Sequence, residues 1–190
     1  MDMVRETPLV SVVMPAYNAA AFIEEAISSV VNQTVQNWEL IVIDDCSKDT
    51  TCDVVLAAAE KDNRIRLVCN EQNMGVAKTR NRGLEVCRGQ YVALLDSDDY
   101  WKPTLLEKMI ARAEETTADI VYCSYELVDE QVCKLELEEF EGLMQLHVAA
   151  LILTLKTYFT NAEEPEKIKA SYQRKMRLLC FGAYPRRTEE

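Results

Sequence analysis

The densest chemistry in this chain lies in Tyr91-Val92-Ala93-Leu94-Leu95-Asp96-Ser97-Asp98-Asp99-Tyr100-Trp101. An apolar run that reads as a buried strand delivers three carboxylates together at its end, and a Trp-Lys-Pro helix start follows. Asp is depleted in strands and costly to bury unpaired, so Asp at a strand terminus calls for a cation or for a solvated turn. Hard divalent ions such as Mg2+ and Mn2+ take oxygen ligands, typically one or two carboxylates plus substrate phosphates. An Asp-rich turn needs no ligand, because Asp bonds its own backbone. On this stretch alone the solvated turn is the better reading; the clusters upstream favour the cation.

Strand and helix patterns alternate up to about residue 125 and supply the elements that must position those carboxylates. Leu9 to Met14 is a β-branched apolar run ended by Pro15, and predicts a first buried strand. Ala19 to Val31 has helical spacing, with Phe22, Ile23, Ala26, Ile27, Val30 and Val31 on one side. Glu39 to Ile43 predicts a second strand closing on Asp44 and Asp45, followed by a helix from Thr50 to Lys61. Ile65 to Cys69 predicts a third strand, and Gly75 to Val86 a helix ending at Arg88-Gly89. Tyr91 to Leu95 is the fourth strand. Pro103 suits the first position of a helix running to about Glu115, and Asp119 to Tyr125 is a fifth strand. Continuous apolar strands alternating with helices imply an α/β fold, a largely parallel sheet covered on both faces.

In such a sheet, ligands bind outside the carboxyl ends of the strands. The polar clusters fall there: Pro15-Ala16-Tyr17-Asn18, Asp44-Asp45-Cys46-Ser47, Asn70 with Asn73-Met74-Gly75 leading to Arg80, and Asp96-Ser97-Asp98-Asp99. Their chemistry is complementary. A Tyr ring and Asp carboxylates suit a nucleobase and ribose, Arg80 suits a diphosphate, and the last Asp cluster suits a bridging metal. Each also has a plainer reading: Tyr17 as an amphipathic cap on the first strand, Asp44 as a turn residue, Arg80 as a solvated helix residue. Asn32, Gln33 and Thr34 read as a helix terminus without chemistry, and Trp38, Trp101 and His147 as packing residues.

Taken together, Val10 to Asn18 (VSVVMPAYN), Ser28 to Thr34 (SSVVNQT), Trp38 to Ser47 (WELIVIDDCS), Asn73 to Gly83 (NMGVAKTRNRG) and Gly89 to Pro103 (GQYVALLDSDDYWKP) resemble a family-2 glycosyltransferase of GT-A fold, over roughly residues 8–128. The resemblance implies that Pro15, Tyr17 and Asn18 line a nucleotide pocket, and that Asp45 contacts the base with Asp44 beside it. It implies that Gly75 and Arg80 lie near the phosphates. Asp96, Ser97 and Asp98 match the DXD element, with Asp98 or Asp99 reaching a divalent metal, Mg2+ or Mn2+. Cys46 stands where Gly is more usual. The implied activity is inverting transfer of a sugar from a nucleotide-diphosphate sugar, a UDP-sugar, to a hydroxyl on a glycan or lipid-linked acceptor.

Beyond about residue 130 the pattern changes, which divides the chain into a nucleotide-sugar-binding core (1–130) and a shortened or diverged acceptor-side tail (131–190) within the same domain. Leu143 to Phe159 is apolar, and the segment from Glu163 onward is charged with helical spacing, which predicts a helical appendix. The family's catalytic carboxylate commonly sits in a Glu-Asp pair at a helix start. No such pair follows Asp99; Glu163 and Glu164 before Pro165 are the nearest substitutes, although the helix dipole alone also favours acids there. Two other readings stay open: a nucleotide-sugar-binding module without transfer activity, and a scaffold whose amphipathic tail docks on a membrane or partner.

The bulk numbers agree with one domain: 190 residues can bury a real core. The net charge of −11 excludes the basic footprint of a nucleic-acid binder. Seven Cys, none in a Cys-x-x-Cys pair, suit reduced thiols better than a disulfide framework or a zinc site. Met1 to Pro8 has no apolar core of a signal peptide, and the longest apolar run, Val148 to Leu155, is far short of the ~20 residues of a spanning helix. The expectation is a cytoplasmic protein, at most peripheral to the inner face of the membrane.

Overall fold

The computed structural model describes residues 7–116, 120–123 and 177–181. The expectations placed on His147, Glu163, Glu164 and the apolar stretch before them lie outside the described residues. The chain runs β1 (Val10–Ala16), α1 (Ile23–Val31), β2 (Trp38–Asp44), α2 (Thr51–Lys61), β3 (Ile65–Cys69), α3 (Val76–Val86), β4 (Tyr91–Leu94), α4 (Leu105–Thr116), β5 (Ile120–Cys123) and β6 (Arg177–Phe181). All strand pairs are parallel, in the order β3-β2-β1-β4-β6-β5. This is the helix-flanked parallel sheet that the apolar strands imply. No helix among the described residues is long and apolar enough to cross a membrane.

The two-residue period of β1 sorts the core. Val10, Val12 and Met14 face one side, where they meet Ile23, Ala26 and Ile27 of α1, Val55 of α2 and Leu106, Met109 and Ala113 of α4. Val13 faces the other with Ile41, Ile43 and Val92, against Leu84 and Val86 of α3. Gly83 lets α3 lie close: a Cβ there would stand 2.3 Å from Val13 Cγ1. Trp38 and Trp101 are buried, as packing anchors should be, and Arg64 stacks 3.7 Å from the Trp38 ring centroid.

Two features differ from the sequence reading. Arg177–Phe181, within the segment read as helical from Glu163 onward, is a strand hydrogen-bonded between β4 and β5. A short run such as Arg-Leu-Leu-Cys-Phe has no periodicity that separates buried strand from buried helix, and here the open edges of β4 and β5 decide. The change of pattern near residue 130 is therefore not a limit of the sheet. The second difference is that β1 does not stop before Pro15; it continues to Ala16 beside Asp44. Its pairing with β4 ends at Val13 and Leu94, after which the Leu95 amide bonds the Val13 carbonyl at 3.1 Å. Backbone groups two residues apart in a strand share a side, so Pro15 is the residue that would next offer an N–H towards β4, and it has none. β1 and β4 thus part at their carboxyl ends, where the strand order reverses. Open parallel sheets bind ligands at that switch point.

The opposite edge is closed by a polar knot. Ser11 donates to Glu39 Oε1 at 2.7 Å, while Ser11 Oγ accepts the Gly89 amide at 2.7 Å. The Arg88 amide and guanidinium both bond Glu39, at 2.9 Å to Oε1 and 2.7 Å to Oε2. Burial alone would raise the Glu39 carboxyl, but the bonds from Arg88 and Ser11 outweigh it and hold the group below the usual carboxylate range. A depressed carboxyl stabilises the fold above its unfolded pKa, about 4.3, and this contribution is lost as pH falls through the folded value. Glu39→Gln is expected to cost about 1–3 kcal/mol in urea unfolding at neutral pH, with the gap to the parent shrinking below about pH 4. A gap that persists unchanged into acid would contradict this role.

Candidate functional site

A cleft of about 300 Å3 opens at the parted ends of β1 and β4, lined by Pro15, Tyr17, Asp45, Asn73, Gly75, Asp96, Ser97 and Asp98 among others. The strand-end clusters after β1, β2 and β4 therefore converge with the turn that starts α3. Tyr17 is half exposed, its ring available to the cleft.

Asp45 organises the cleft wall. Its Oδ1 accepts the Asn70 side-chain amide at 2.7 Å and the Met74 backbone amide at 2.8 Å, and its Oδ2 accepts the Gly75 amide at 2.8 Å. Gly75 has φ 81°, a left-handed conformation that costs a glycine little, and it leads directly into α3. Asn70 also bonds Thr79 Oγ1 at 3.1 Å, and its own oxygen accepts from Arg82 at 2.5 Å. Burial would raise the Asp45 carboxyl, yet the donors Met74, Asn70, Gly75 and Thr79 outweigh it and keep the group below its ordinary range. It stays ionised at neutral pH, and its stabilisation fades only as pH falls through that depressed value.

Four expected site residues take other places. Asp44 does not line the cleft: it is 2% exposed, and its Oδ2 accepts the Ser47 amide at 3.0 Å. The alternation of strand side chains forces this, since neighbours Asp44 and Asp45 must point apart. Asn18 is not among the lining residues either. Its amide donates to Ser47 Oγ at 2.9 Å and its Oδ1 accepts the Lys48 amide at 2.8 Å, so it ties the loop after β1 to the loop after β2. Arg80 is paired with Asp96 and holds that carboxylate from α3, rather than lining the cleft itself. Asp99 closes a turn, its amide donating to the Asp96 carbonyl at 3.1 Å, and is likewise absent from the lining. Cys46 adopts φ 65°, the conformation for which Gly would be the easier choice.

Gln33 carries more than a helix terminus needs. It is 1% exposed; its Nε2 donates to the Ser29 carbonyl at 3.0 Å and the Lys102 carbonyl at 2.9 Å, and its Oε1 accepts the Leu106 amide at 3.0 Å. The Thr34 amide adds a bond to the Pro103 carbonyl at 2.9 Å. The end of α1 thereby fixes the segment that follows the Asp cluster. The pair Gln33-Thr34 facing a Lys-Pro segment was the available signal, but its partner lies some seventy residues on.

If Asp45 holds the Met74–Gly75 backbone, Asp45→Ala should speed hydrogen exchange at both amides and lower stability by about 1–3 kcal/mol. Unchanged protection at Met74 and Gly75 would contradict the assignment.

The family model described as "Glycosyl transferase family 2" matches residues 11–170. The "UDP-Glc:alpha-D-GlcNAc-diphosphoundecaprenol beta-1,3-glucosyltransferase WfgD" of Escherichia coli is 43% identical over 121 residues, which is 64% of this chain and 47% of WfgD. The mannosyltransferase PcManGT of Pyrobaculum calidifontis, solved with GDP-Man and Mn2+, aligns at TM-score 0.53 and 27% identity over 64% of this chain and 37% of its own. S. aureus TarS 1-349 in complex with UDP-GlcNAc aligns at TM-score 0.61 over 93% of this chain and 59% of that one; at 22% identity it speaks for the fold alone. The chain spans about half the length of the curated relatives it matches. With the family model matched over most of the chain, from the first strand into the tail, this protein belongs to glycosyl transferase family 2.

Proposed function

We propose that this chain carries the donor site of an inverting glycosyltransferase, which moves a sugar from a nucleotide-diphosphate sugar, a UDP-sugar, to a hydroxyl of a glycan or lipid-linked acceptor. The observation that carries this reading is the convergence of Tyr17, the Gly75 turn and the Asp96-Ser97-Asp98 cluster on one cleft at the switch point of the sheet. The donor and acceptor named for WfgD support the substrate classes.

In this reading the exposed Tyr17 ring stacks on the base, and the backbone around Gly75 approaches the nucleotide where no side chain stands in the way. Asp45 acts through the loop it holds, rather than by the direct base contact that the family resemblance implies, because most of its acceptor positions are already taken by protein donors. Arg80 keeps Asp96 in place through their ion pair. The all-oxygen donor set of Asp96, Ser97 and Asp98 fits a hard divalent cation, and the Mn2+ of PcManGT supports the same chemistry. Mg2+ or Mn2+ on Asp98 would neutralise charge on the departing diphosphate. A carboxylate base deprotonates the acceptor hydroxyl, and Glu163 and Glu164 are our candidates for it.

Calorimetric titration of UDP tests the donor site. With Mn2+ present the parent chain should bind; with EDTA, or in Asp98→Ala, affinity should fall by about tenfold or more, some 1.4 kcal/mol. UDP affinity that is indifferent to both metal and substitution would overturn the assignment.

A further inference from the structure

We propose that Asp44, Cys52 and Cys69 form a second metal site, for a thiophilic divalent cation of the Zn2+ class, independent of the donor cleft and of the function proposed for it. The three residues come from the end of β2, the first turn of α2 and the end of β3. A carboxylate oxygen and the two sulfurs all lie within 4.8 Å of one another. A tetrahedral zinc ion with bonds of about 2.3 Å to sulfur spaces its sulfurs about 3.8 Å apart, so the ligands need close by only about 1 Å. None of the three lines the donor cleft.

An independent observation points the same way. Asp44 is 2% exposed; its Oδ2 accepts the Ser47 amide, whereas its Oδ1 is buried with no N–H or O–H donor, and the Cys52 thiol stands against the carboxylate. A thiol is a weak donor, so a buried carboxylate oxygen with no better partner is costly, and a cation against it removes the cost. Access exists, because Cys69 is exposed and Cys52 is partly so. Two thiols and a carboxylate select against Mg2+ and Mn2+, which prefer oxygen, and towards zinc-like ions. Binding releases the two thiol protons, leaving two thiolates, one carboxylate and the dication, for a net charge of one negative. Burial and the neighbouring Asp44 carboxylate push the Cys52 thiol up to about 12, so the thiol keeps its proton until a cation takes its place against Asp44. Arg82 is anchored close by, donating to the Cys69 carbonyl at 2.9 Å. Three protein ligands leave one position for water. The ion would pin α2 and β3 to β2 one residue before Asp45, the residue that holds the cleft wall.

Cobalt reports on such a site without interference from the oxygen-only cluster of the cleft, since only sulfur ligation gives a thiolate-to-cobalt charge-transfer band. The full chain, reduced with a phosphine, should bind one equivalent of Co2+ with that near-ultraviolet band and tetrahedral visible bands, both erased by added Zn2+. Cys52→Ser and Cys69→Ser should each abolish the thiolate band, Cys46→Ser should keep it, and Asp44→Asn should weaken Co2+ by about tenfold or more, the scale of losing even an outer-sphere partner. Circular dichroism checks that each variant is folded, and Cys69→Ser, at an exposed position, remains decisive if Cys52→Ser is not. No thiolate band in the reduced parent chain, or a band surviving in folded Cys69→Ser, would overturn the proposal.

Discussion

The bonds that the Asp45 carboxylate accepts from the Met74 and Gly75 amides hold together the part of this molecule where chemistry can occur. They fasten the end of β2 to the turn that starts α3, across thirty residues of sequence. The same carboxylate takes the side-chain amide of Asn70, so the end of β3 joins the knot. Without an acceptor here, two backbone N–H groups would be left to water, and the glycine turn would have no fixed position. The depressed carboxyl follows directly, because hydrogen bonds to the charged form overcome the penalty of burial.

The two edges of the sheet spend their polar groups differently. At the amino edge, Ser11, Glu39 and Arg88 satisfy one another, and that end is mechanically closed. At the carboxyl edge, Pro15 lacks the N–H that would extend pairing to β4, and the strands separate. Asn18, Asp45, Arg80 and Gln33 then hold the separated loops in place from four directions, each through bonds to another loop or helix. The residues facing the cleft are positioned by neighbours that mostly do not face it.

Much of this was legible in the sequence, for reasons that can be named. Apolar strands ending in polar clusters announce both a parallel sheet and the edge where such sheets bind ligands, and Asp45, Gly75, Asp96, Ser97 and Asp98 from those clusters line the cleft at that edge. Most of what the sequence hides is non-local. Glu39 reads as an ordinary strand residue until Arg88 is brought beside it by the β1–β4 register. Gln33 reads as a helix end until Lys102 and Leu106 arrive. Asp44 was grouped with Asp45 by adjacency, although strand alternation sends adjacent side chains to opposite faces. Arg80 looked available for a diphosphate because its partner Asp96 is sixteen residues away. The strand at Arg177–Phe181 was hidden because five residues carry no period, and only the unpaired edges of β4 and β5 select the extended form.

We propose that a nucleotide diphosphate and its cation bind at the parted ends of β1 and β4. Paramagnetic broadening of backbone amide signals by Mn2+ in the presence of UDP measures that place directly. Broadening should be strongest at Ser97 and Asp98, extend to Tyr17 and Gly75, and spare Ser11, Glu39 and Gly89 at the far edge. Broadening centred on the far edge, or spread evenly over the chain, would contradict the account.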